Sequence, residues 1–396
     1  MEAQNMESNT SRRNFLAAWA LPAVPLVREA RPTAGGPAAD GAASARAEVR
    51  YRVLGRTGLK VSEVSFGCMI TSDISVLERA LESGINHFDT ARVYGSGNNE
   101  RMVGAALKRR RKDVIIATKT LNTRDKASAL ADLDRSLQTI GTDYVDIWYL
   151  HDKRTAEDIT DELIDALQTA KQSGKIRFAG VSVHSGHREV IPAAIRSGKI
   201  DVILTTYNFA MDPSIEHLIA QAHQAGLGVV AMKVMAGSFR LPDQDYFDRG
   251  RAILKRPGAP VAALRWVLRN PNVDCAIVSM IDHDQLEDNL QAMAAPFGPA
   301  DQELLSLRLE RIRQSYCRMC GRCEGQCVRG LPVPDILRYL MYAETYGQFA
   351  LGRMHYQQLP EWAQAVRCSQ CRTCSVRCPH GIPVAARLSR AQELFA

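Results

Sequence analysis

The sequence predicts an α/β protein: a closed barrel of eight parallel strands, each followed by a helix, and behind it a smaller helical module rich in cysteine. Two observations carry this prediction. Apolar strand-like runs near 64–67, 85–88, 114–118, 145–150, 176–182, 202–206, 228–232 and 274–278 alternate with stretches whose apolar residues recur at spacings of three and four. Beyond the last run this alternation stops, and two clusters of four cysteines follow. At 396 residues the chain is long for one domain, and 46% hydrophobic content is enough for a sizeable core. Three segments are expected: a leader over 1–47, the barrel over 48–300 and the module over 301–396.

The leader comes first. Ser11-Arg12-Arg13-Asn14-Phe15-Leu16 opens an apolar stretch from Phe15 to Val27, followed by a segment rich in Ala, Gly and Pro up to about Ala47. This looks like a twin-arginine export signal, read by the twin-arginine export machinery, and implies a periplasmic or otherwise exported protein. Pro22 and Pro25 interrupt helix formation and the run is short for a bilayer, which argues against a permanent transmembrane anchor. Ala45-Arg46-Ala47 offers a small-x-small cleavage site at some distance from the apolar run. Cleavage stays open, and an uncleaved leader would leave the protein membrane-associated. The formal charge of +7 is mild, and no basic run interleaved with aromatics suggests a nucleic-acid partner.

In the barrel, Arg52-Val53-Leu54-Gly55 and Lys60-Val61 around Arg56-Thr57-Gly58 read as a small hairpin closing the floor. Repeated strand-then-helix units place the chemistry at the C-terminal strand ends of a TIM-type (β/α)8 barrel. Three strand ends carry suitable groups. Ile85-Asn86-His87-Phe88-Asp89 runs into a polar loop holding Tyr94, Val114 to Lys119 ends on an ammonium, and Val145 to His151 ends on an imidazole.

Asp89, Tyr94, Lys119 and His151, in this order and setting, resemble the catalytic tetrad of the aldo/keto reductase family, over about 250 residues from Arg50 to about Pro299. Residue chemistry suggests the roles. A free tyrosine is a poor acid at neutral pH, with a pKa near ~10, and a nearby ammonium is expected to lower that value. Tyr94 is then the proton donor, Lys119 the positive field, Asp89 its holder, and His151 a hydrogen-bond donor to a substrate carbonyl. Hydride would come from NAD(P)H, since none of these side chains can supply one, and the substrate would be a small carbonyl or alcohol.

The same resemblance assigns cofactor contacts position by position. Ser182 matches the serine that holds the nicotinamide carboxamide, whereas its usual asparagine neighbour is Val183, the usual glutamine is Leu204 and the usual stacking aromatic is Met232. The stretch Ile277 to Asn289 is similar to the family's adenosine-phosphate grip, with Gln285 and Asn289 in register. Ser279 and Gln285 stand where NADPH-specific members place lysine and arginine. Without a cation there a 2'-phosphate loses charge-assisted hydrogen bonds, which implies weak selectivity for NADPH, or a cofactor held by other groups such as Lys233.

Cys317-x2-Cys320-x2-Cys323-x3-Cys327 and Cys368-x2-Cys371-x2-Cys374-x3-Cys378 are copies offset by 51 residues, and the Gly330/Gly381 and Pro332/Pro383 pairs keep the same offset. Disulfides suit an exported chain but not this tight triple spacing. Structural zinc favours two separated pairs. Three close thiolates with a remote fourth fit two [4Fe-4S] clusters, with Pro379 present only in the second copy. By analogy with bacterial ferredoxins each cluster would take its fourth ligand from the other copy: Cys317, Cys320, Cys323 and Cys378 for one, Cys368, Cys371, Cys374 and Cys327 for the other. The link between the copies reads as helical, clearest over Asp335 to Tyr342, and resembles an α-helical ferredoxin-like module. From Asp301 onward there are thirteen arginines, no lysine and eight acids, with guanidinium groups lying among the ligands of anionic clusters.

The sequence therefore resembles an exported, ferredoxin-fused aldo/keto reductase. An alternative from another class is an electron-transfer protein whose barrel is a docking scaffold with a degenerate nicotinamide site, for which Val183, Leu204 and Met232 argue. In either case the clusters could serve a redox partner protein or only stabilise the module, because hydride transfer moves two electrons together and a cluster carries one.

Overall fold

A computed structural model describes residues 48–121, 125–237 and 258–395. The expected leader lies outside the described residues. The described residues fall within one compact unit, so barrel and cysteine module are packed together.

Ten strands are described: β1 (Tyr51–Val53), β2 (Lys60–Ser62), β3 (Val64–Gly67), β4 (His87–Asp89), β5 (Ile115–Lys119), β6 (Val145–Leu150), β7 (Ile176–Val183), β8 (Val202–Thr206), β9 (Gly228–Met232) and β10 (Cys275–Val278). β3 to β10 pair in parallel and in sequence, and β10 closes on β3 with Ala276 opposite Val64. The closure leaves no sheet edge open.

Strand alternation sorts the side chains. Ile115, Ala117, Ile147, Tyr149, Val202, Leu204, Val230 and Cys275 fill the barrel interior. Their neighbours Ile116, Trp148, Val181, Ile203 and Val229 face the surrounding helices. The inward register therefore ends on Asp89, Lys119 and His151 at the C-terminal mouth, because each lies an even number of residues from an interior neighbour. Gly180 makes room for Tyr149: a Cβ there would stand 2.3 Å from the Tyr149 ring.

The floor is closed by the antiparallel β1–β2 hairpin. Arg52 donates to the carbonyls of Leu268 (2.7 Å) and Val273 (2.5 Å) and pairs with Glu63 (2.9 Å), tying the hairpin to the barrel bottom. Leu54 lies in the interior core. The tip fits only a glycine at one place, since Gly55 has φ +47° and a Cβ would sit 2.3 Å from the Gly228 nitrogen.

Helix Pro299–Ile312 packs on helix Ala259–Leu268, with Leu305 against Ala262 and Ala263 and Arg265 3.4 Å from Asp301, so the barrel layer extends past residue 300. The module beyond it is helical, with Val333–Glu344, Phe349–Gln357, Glu361–Ala365 and Val384–Phe395. Its core of Ile336, Leu340, Met341, Leu388 and Phe395 includes Ala210 and Ala236 from the barrel's loops. One apolar layer thus spans barrel mouth and module.

The hairpin tip can be tested by comparing Gly55→Ala with Gly58→Ala. Gly58 also has positive φ (+72°) but open space around it. Thermal unfolding is expected to show a loss of about 1 kcal/mol for Gly58→Ala, from backbone strain alone, and roughly 2–4 kcal/mol for Gly55→Ala, where a clash is added.

Candidate active site and cluster module

Each group at the mouth is held by its own strand end. Lys119, 1% exposed, donates to Asp89 Oδ1 (2.5 Å) and to the Thr90 carbonyl (2.6 Å). Its Nζ lies 5.0 Å from the centre of the Tyr94 ring. Tyr94 rides on a loop in which Gly95, Ser96 and Gly97 all take positive φ. That loop is pinned by Arg92, which pairs at 2.8 Å with the fully buried Glu100, itself accepting from Thr118 on β5 at 2.7 Å. His151 follows β6, its backbone amide donating to Thr120 Oγ1 at 3.1 Å.

The electrostatics follow from burial among these neighbours. Burial alone would lower the Lys119 pKa, but Asp89 and Tyr94 outweigh it and hold the ammonium charged. At Tyr94 the expected lowering is not the net result: burial raises the phenol above its ordinary value, and the Lys119 charge only partly offsets it. Tyr94 is therefore protonated at neutral pH. Burial, then the Lys119 charge, pushes His151 down to about 3, so the imidazole is neutral.

A cavity of about 1820 Å³ opens over the mouth and is lined by Asp89, Tyr94, His151, Lys233, Ser279, Gln285 and Asn289 among others. It brings together three of the four expected catalytic groups at its wall, with Lys119 behind Asp89 and Tyr94, and the stretch expected to grip the adenosine half of a dinucleotide. A drug-sized ligand needs about 300–1,000 Å³, so a dinucleotide and a substrate fit together. Leu204 and Met232 line it as well, giving an apolar wall where the family's commoner pattern is polar or aromatic. Ser279 and Gln285 lie beside Asp282, Asp284 and Asp288, and no lysine or arginine lines that end among the described residues.

Ser182 is not brought to the cavity wall. It is fully buried on β7, where its Oγ accepts the Asp152 amide at 2.8 Å, and the next inward residue, His184, reaches the cavity instead. Cys68 and Cys275 are fully buried and do not line this cavity.

Sequence reasoning missed the roof. Helix Val333–Glu344 of the module lies across the mouth, and its Arg338, 1% exposed, meets Asp152 Oδ1 at 3.5 Å and Asp335 at 3.0 Å. Arg154 joins the group through Asp152 (3.0 Å), Asp335 (3.6 Å) and the Tyr339 hydroxyl (3.0 Å). Burial would raise the Asp152 carboxyl, but Arg338, His184 and Arg154 override it and hold it well below the usual range. Tyr339 and His355 stack at 5.3 Å, and both line the cavity. The one visible signal was Arg338 itself, a charge inside the otherwise apolar run Ile336 to Tyr342.

The cysteines form two groups. Cys317 is buried and faces Cys323, Cys320 and Cys378; burial and these neighbours raise its thiol to about 12. Cys368 is raised in the same way by burial and by Cys327, Cys371 and Cys374. Each group thus contains three thiols of one copy and the fourth of the other, a donor set that fits a cubane cluster. Gly330 (φ +72°) and Gly381 (φ +80°) turn the chain after the fourth cysteine in both copies, their amides donating to Cys327 and Cys378 carbonyls at 2.8 and 3.2 Å. On the barrel side, Asp212 accepts from His380 Nε2 (3.1 Å) and Arg322 (3.2 Å), which docks the first group against the loop after β8.

Replacing Cys378 by Ala should therefore remove the cluster of the first copy. Iron in anaerobically purified protein is expected to fall from about eight to about four per chain, with Cys327→Ala giving the complementary loss. A variant that keeps its full iron content would contradict the crossed grouping.

Comparison with known proteins agrees with this architecture. The sequence model of the Aldo/keto reductase family matches residues 71–305, and that of a 4Fe-4S dicluster domain matches residues 316–382. Among curated relatives, an uncharacterized oxidoreductase YqkF of Bacillus subtilis is 31% identical over 62% of this chain and 92% of its own length. An L-galactose dehydrogenase of Arabidopsis thaliana is 30% identical over 65% and 93%. The solved aldo-keto reductase AKR11C1 from Bacillus halodurans, in its holo form, superposes with a TM-score of 0.56 at 29% identity, over 66% of this chain and 96% of that one. A Klebsiella pneumoniae aldo-keto reductase solved in complex with NADPH shares the fold, with a TM-score of 0.55 at 22% identity over 65% and 95%. A barrel with this mouth, matched over most of its length, and a paired-cysteine module behind it lead to one conclusion: the chain belongs to the aldo/keto reductase family, as an NAD(P)-dependent oxidoreductase fused to a 4Fe-4S dicluster domain.

Proposed function

We propose that the protein transfers a hydride between NAD(P)H and a small carbonyl or alcohol substrate, with Asp89, Tyr94, Lys119 and His151 as its catalytic group. The observation that supports this reading most directly is that Asp89, Tyr94 and His151 line one cavity with Ser279, Gln285 and Asn289, while Lys119 lies against Asp89 and Tyr94. When bound, the reduced nicotinamide supplies the hydride, which no side chain can.

The chain's own residues handle the proton and the charge. Tyr94 holds a proton at neutral pH and gives it to the carbonyl oxygen as negative charge develops there. The buried Lys119 ammonium stabilises the phenolate left behind, and Asp89 keeps that ammonium in place. His151, neutral, hydrogen-bonds the carbonyl oxygen without adding a second full charge. In the alcohol-oxidising direction the same groups work in reverse.

The clusters, on this reading, first of all hold the helix that roofs the cavity, since Val333–Glu344 lies between the two cysteine copies. Exchange of single electrons with a hydride donor needs an intermediary, so any electron traffic runs to a separate redox partner protein. Export through the twin-arginine route rests on Ser11 to Leu16 and the apolar run to Val27, and fits a protein that folds around its clusters first. No helix among the described residues is long and apolar enough to cross a membrane.

Tyr94→Phe provides the test. Steady-state carbonyl reduction is expected to fall about 10²- to 10⁴-fold in kcat with the dinucleotide still bound, and undiminished reduction would overturn the role of Tyr94. The acidic adenosine end carries a second expectation: NADH should support turnover at least as well as NADPH, measured as the ratio of kcat/KM for the two cofactors. A tenfold preference for NADPH would contradict it.

A further inference from the structure

The roof leaves one charge over. Of the cations around the mouth, Lys119 is matched by Asp89 at 2.5 Å. Arg154 and Arg338 share Asp152 and Asp335 at 3.0–3.6 Å, two guanidiniums against two carboxylates. Lys233 has no such counterpart: among the described residues no carboxylate lies within ion-pair distance of its amine, whose pKa burial and then the Arg338 charge push down to about 7, so that it is only partly charged at neutral pH until an anion joins it. Its side-chain hydrogen bond runs to a neutral imidazole, His184 Nδ1 at 2.6 Å, and it sits 5.2 Å from the centre of the Tyr342 ring.

The placement is built rather than incidental. Lys233 follows β9 with φ +55°, a conformation unfavourable for a lysine, and its carbonyl is fixed by the Asn208 side-chain amide at 3.0 Å and the Ala236 backbone amide at 3.1 Å. In its charged form the ammonium can only donate, so His184 Nδ1 then accepts and the ring proton is on Nε2. That Nε2 has no hydrogen-bond partner. Two donors, one of them cationic, therefore stand side by side within one edge-to-face ring contact of His151, whose ring centre is 5.8 Å from that of His184. Lys233 and His184 line the same cavity as Tyr339, Tyr342, His355 and Trp362 of the module.

We propose that Lys233 and His184, under the aromatic roof supplied by the cluster module, form a receptor for a carboxylate carried by the substrate, so that the enzyme acts on carbonyl compounds bearing a carboxylate on an aromatic body. This rests on the reductase reading above. A single ammonium beside a neutral donor suits one negative charge. The neighbouring Arg154 and Arg338, already neutralised by Asp152 and Asp335, leave little attraction for a dianionic phosphate. Trp362, about half exposed on the cavity wall, offers a ring face to the flat body of such a substrate. The module then sets specificity without touching the reacting atoms.

The test pairs an acid with its uncharged twin. Anaerobically purified holoenzyme is assayed with NADH and either 4-carboxybenzaldehyde or its methyl ester, in the wild type and in Lys233→Gln and Lys233→Arg. The wild type is expected to favour the acid by about tenfold in kcat/KM, the size of one charge-assisted hydrogen bond, and Lys233→Gln to erase that ratio through the KM of the acid while Lys233→Arg keeps it. An acid-to-ester ratio that is the same in wild type and Lys233→Gln would overturn the proposal. So would a rise in the KM for NADH that is equal with both substrates, which would assign the ammonium to the cofactor's diphosphate. If neither compound is turned over, the reductase reading fails on this pair, and the receptor is read separately by calorimetric titration of 4-carboxybenzaldehyde into nucleotide-free protein. About tenfold weaker binding to Lys233→Gln supports the receptor, and equal binding removes it.

Discussion

The contact between Arg338 and Asp152 ties the two halves of this molecule together. Burying a guanidinium at 1% exposure is costly unless carboxylates answer it, and here one comes from the barrel's β6 loop and one from its own helix. Taking away one partner of such a buried group typically costs about 3–5 kcal/mol. The helix that carries Arg338 is therefore fixed over the mouth, and with it the aromatic side chains that bound the cavity. The catalytic loops and the cysteine module share one electrostatic knot.

Below that roof, a second buried pair sets the chemistry. Lys119 and Asp89 neutralise each other deep in the barrel, and a phenol lies against the ammonium. Burial alone would make Tyr94 too weak an acid to be useful, and the adjacent charge moderates it. The same charge helps keep His151 neutral. In the proposed mechanism one cation thus gives its two neighbours different jobs, a proton to release for one and a hydrogen bond to offer for the other.

The barrel was legible because its strands are short apolar runs bounded by turn residues, and period-two alternation in parallel strands fixes which side chains point inward. Residue boundaries moved by only one or two positions: the run near 85–88 became His87–Asp89 and that near 114–118 became Ile115–Lys119. The cysteine grouping was legible for a different reason, since the spacing of thiols is imposed by the size of a cluster. Ser182 lies off the cavity wall, its hydroxyl accepting the Asp152 amide, and its place in the chain says nothing of that turn. The roof was invisible for the reason long-range contacts usually are: Arg338 and Asp152 are far apart in sequence, and no local pattern couples them. Tyr94 illustrates a third kind of limit, since a sign that depends on burial against charge needs the burial to be known.

The crossed arrangement of the two cysteine groups bears on how the barrel's activity responds to its surroundings. Helix Val333–Glu344 starts six residues after Cys327, so its first turn is anchored close to a thiol that faces Cys368 of the other copy. Stripping iron would release the leading end of the segment that covers the cavity. A reaction whose own steps need no metal would then become sensitive to oxygen and to iron supply, through the loosening of a lid rather than the loss of a reactant.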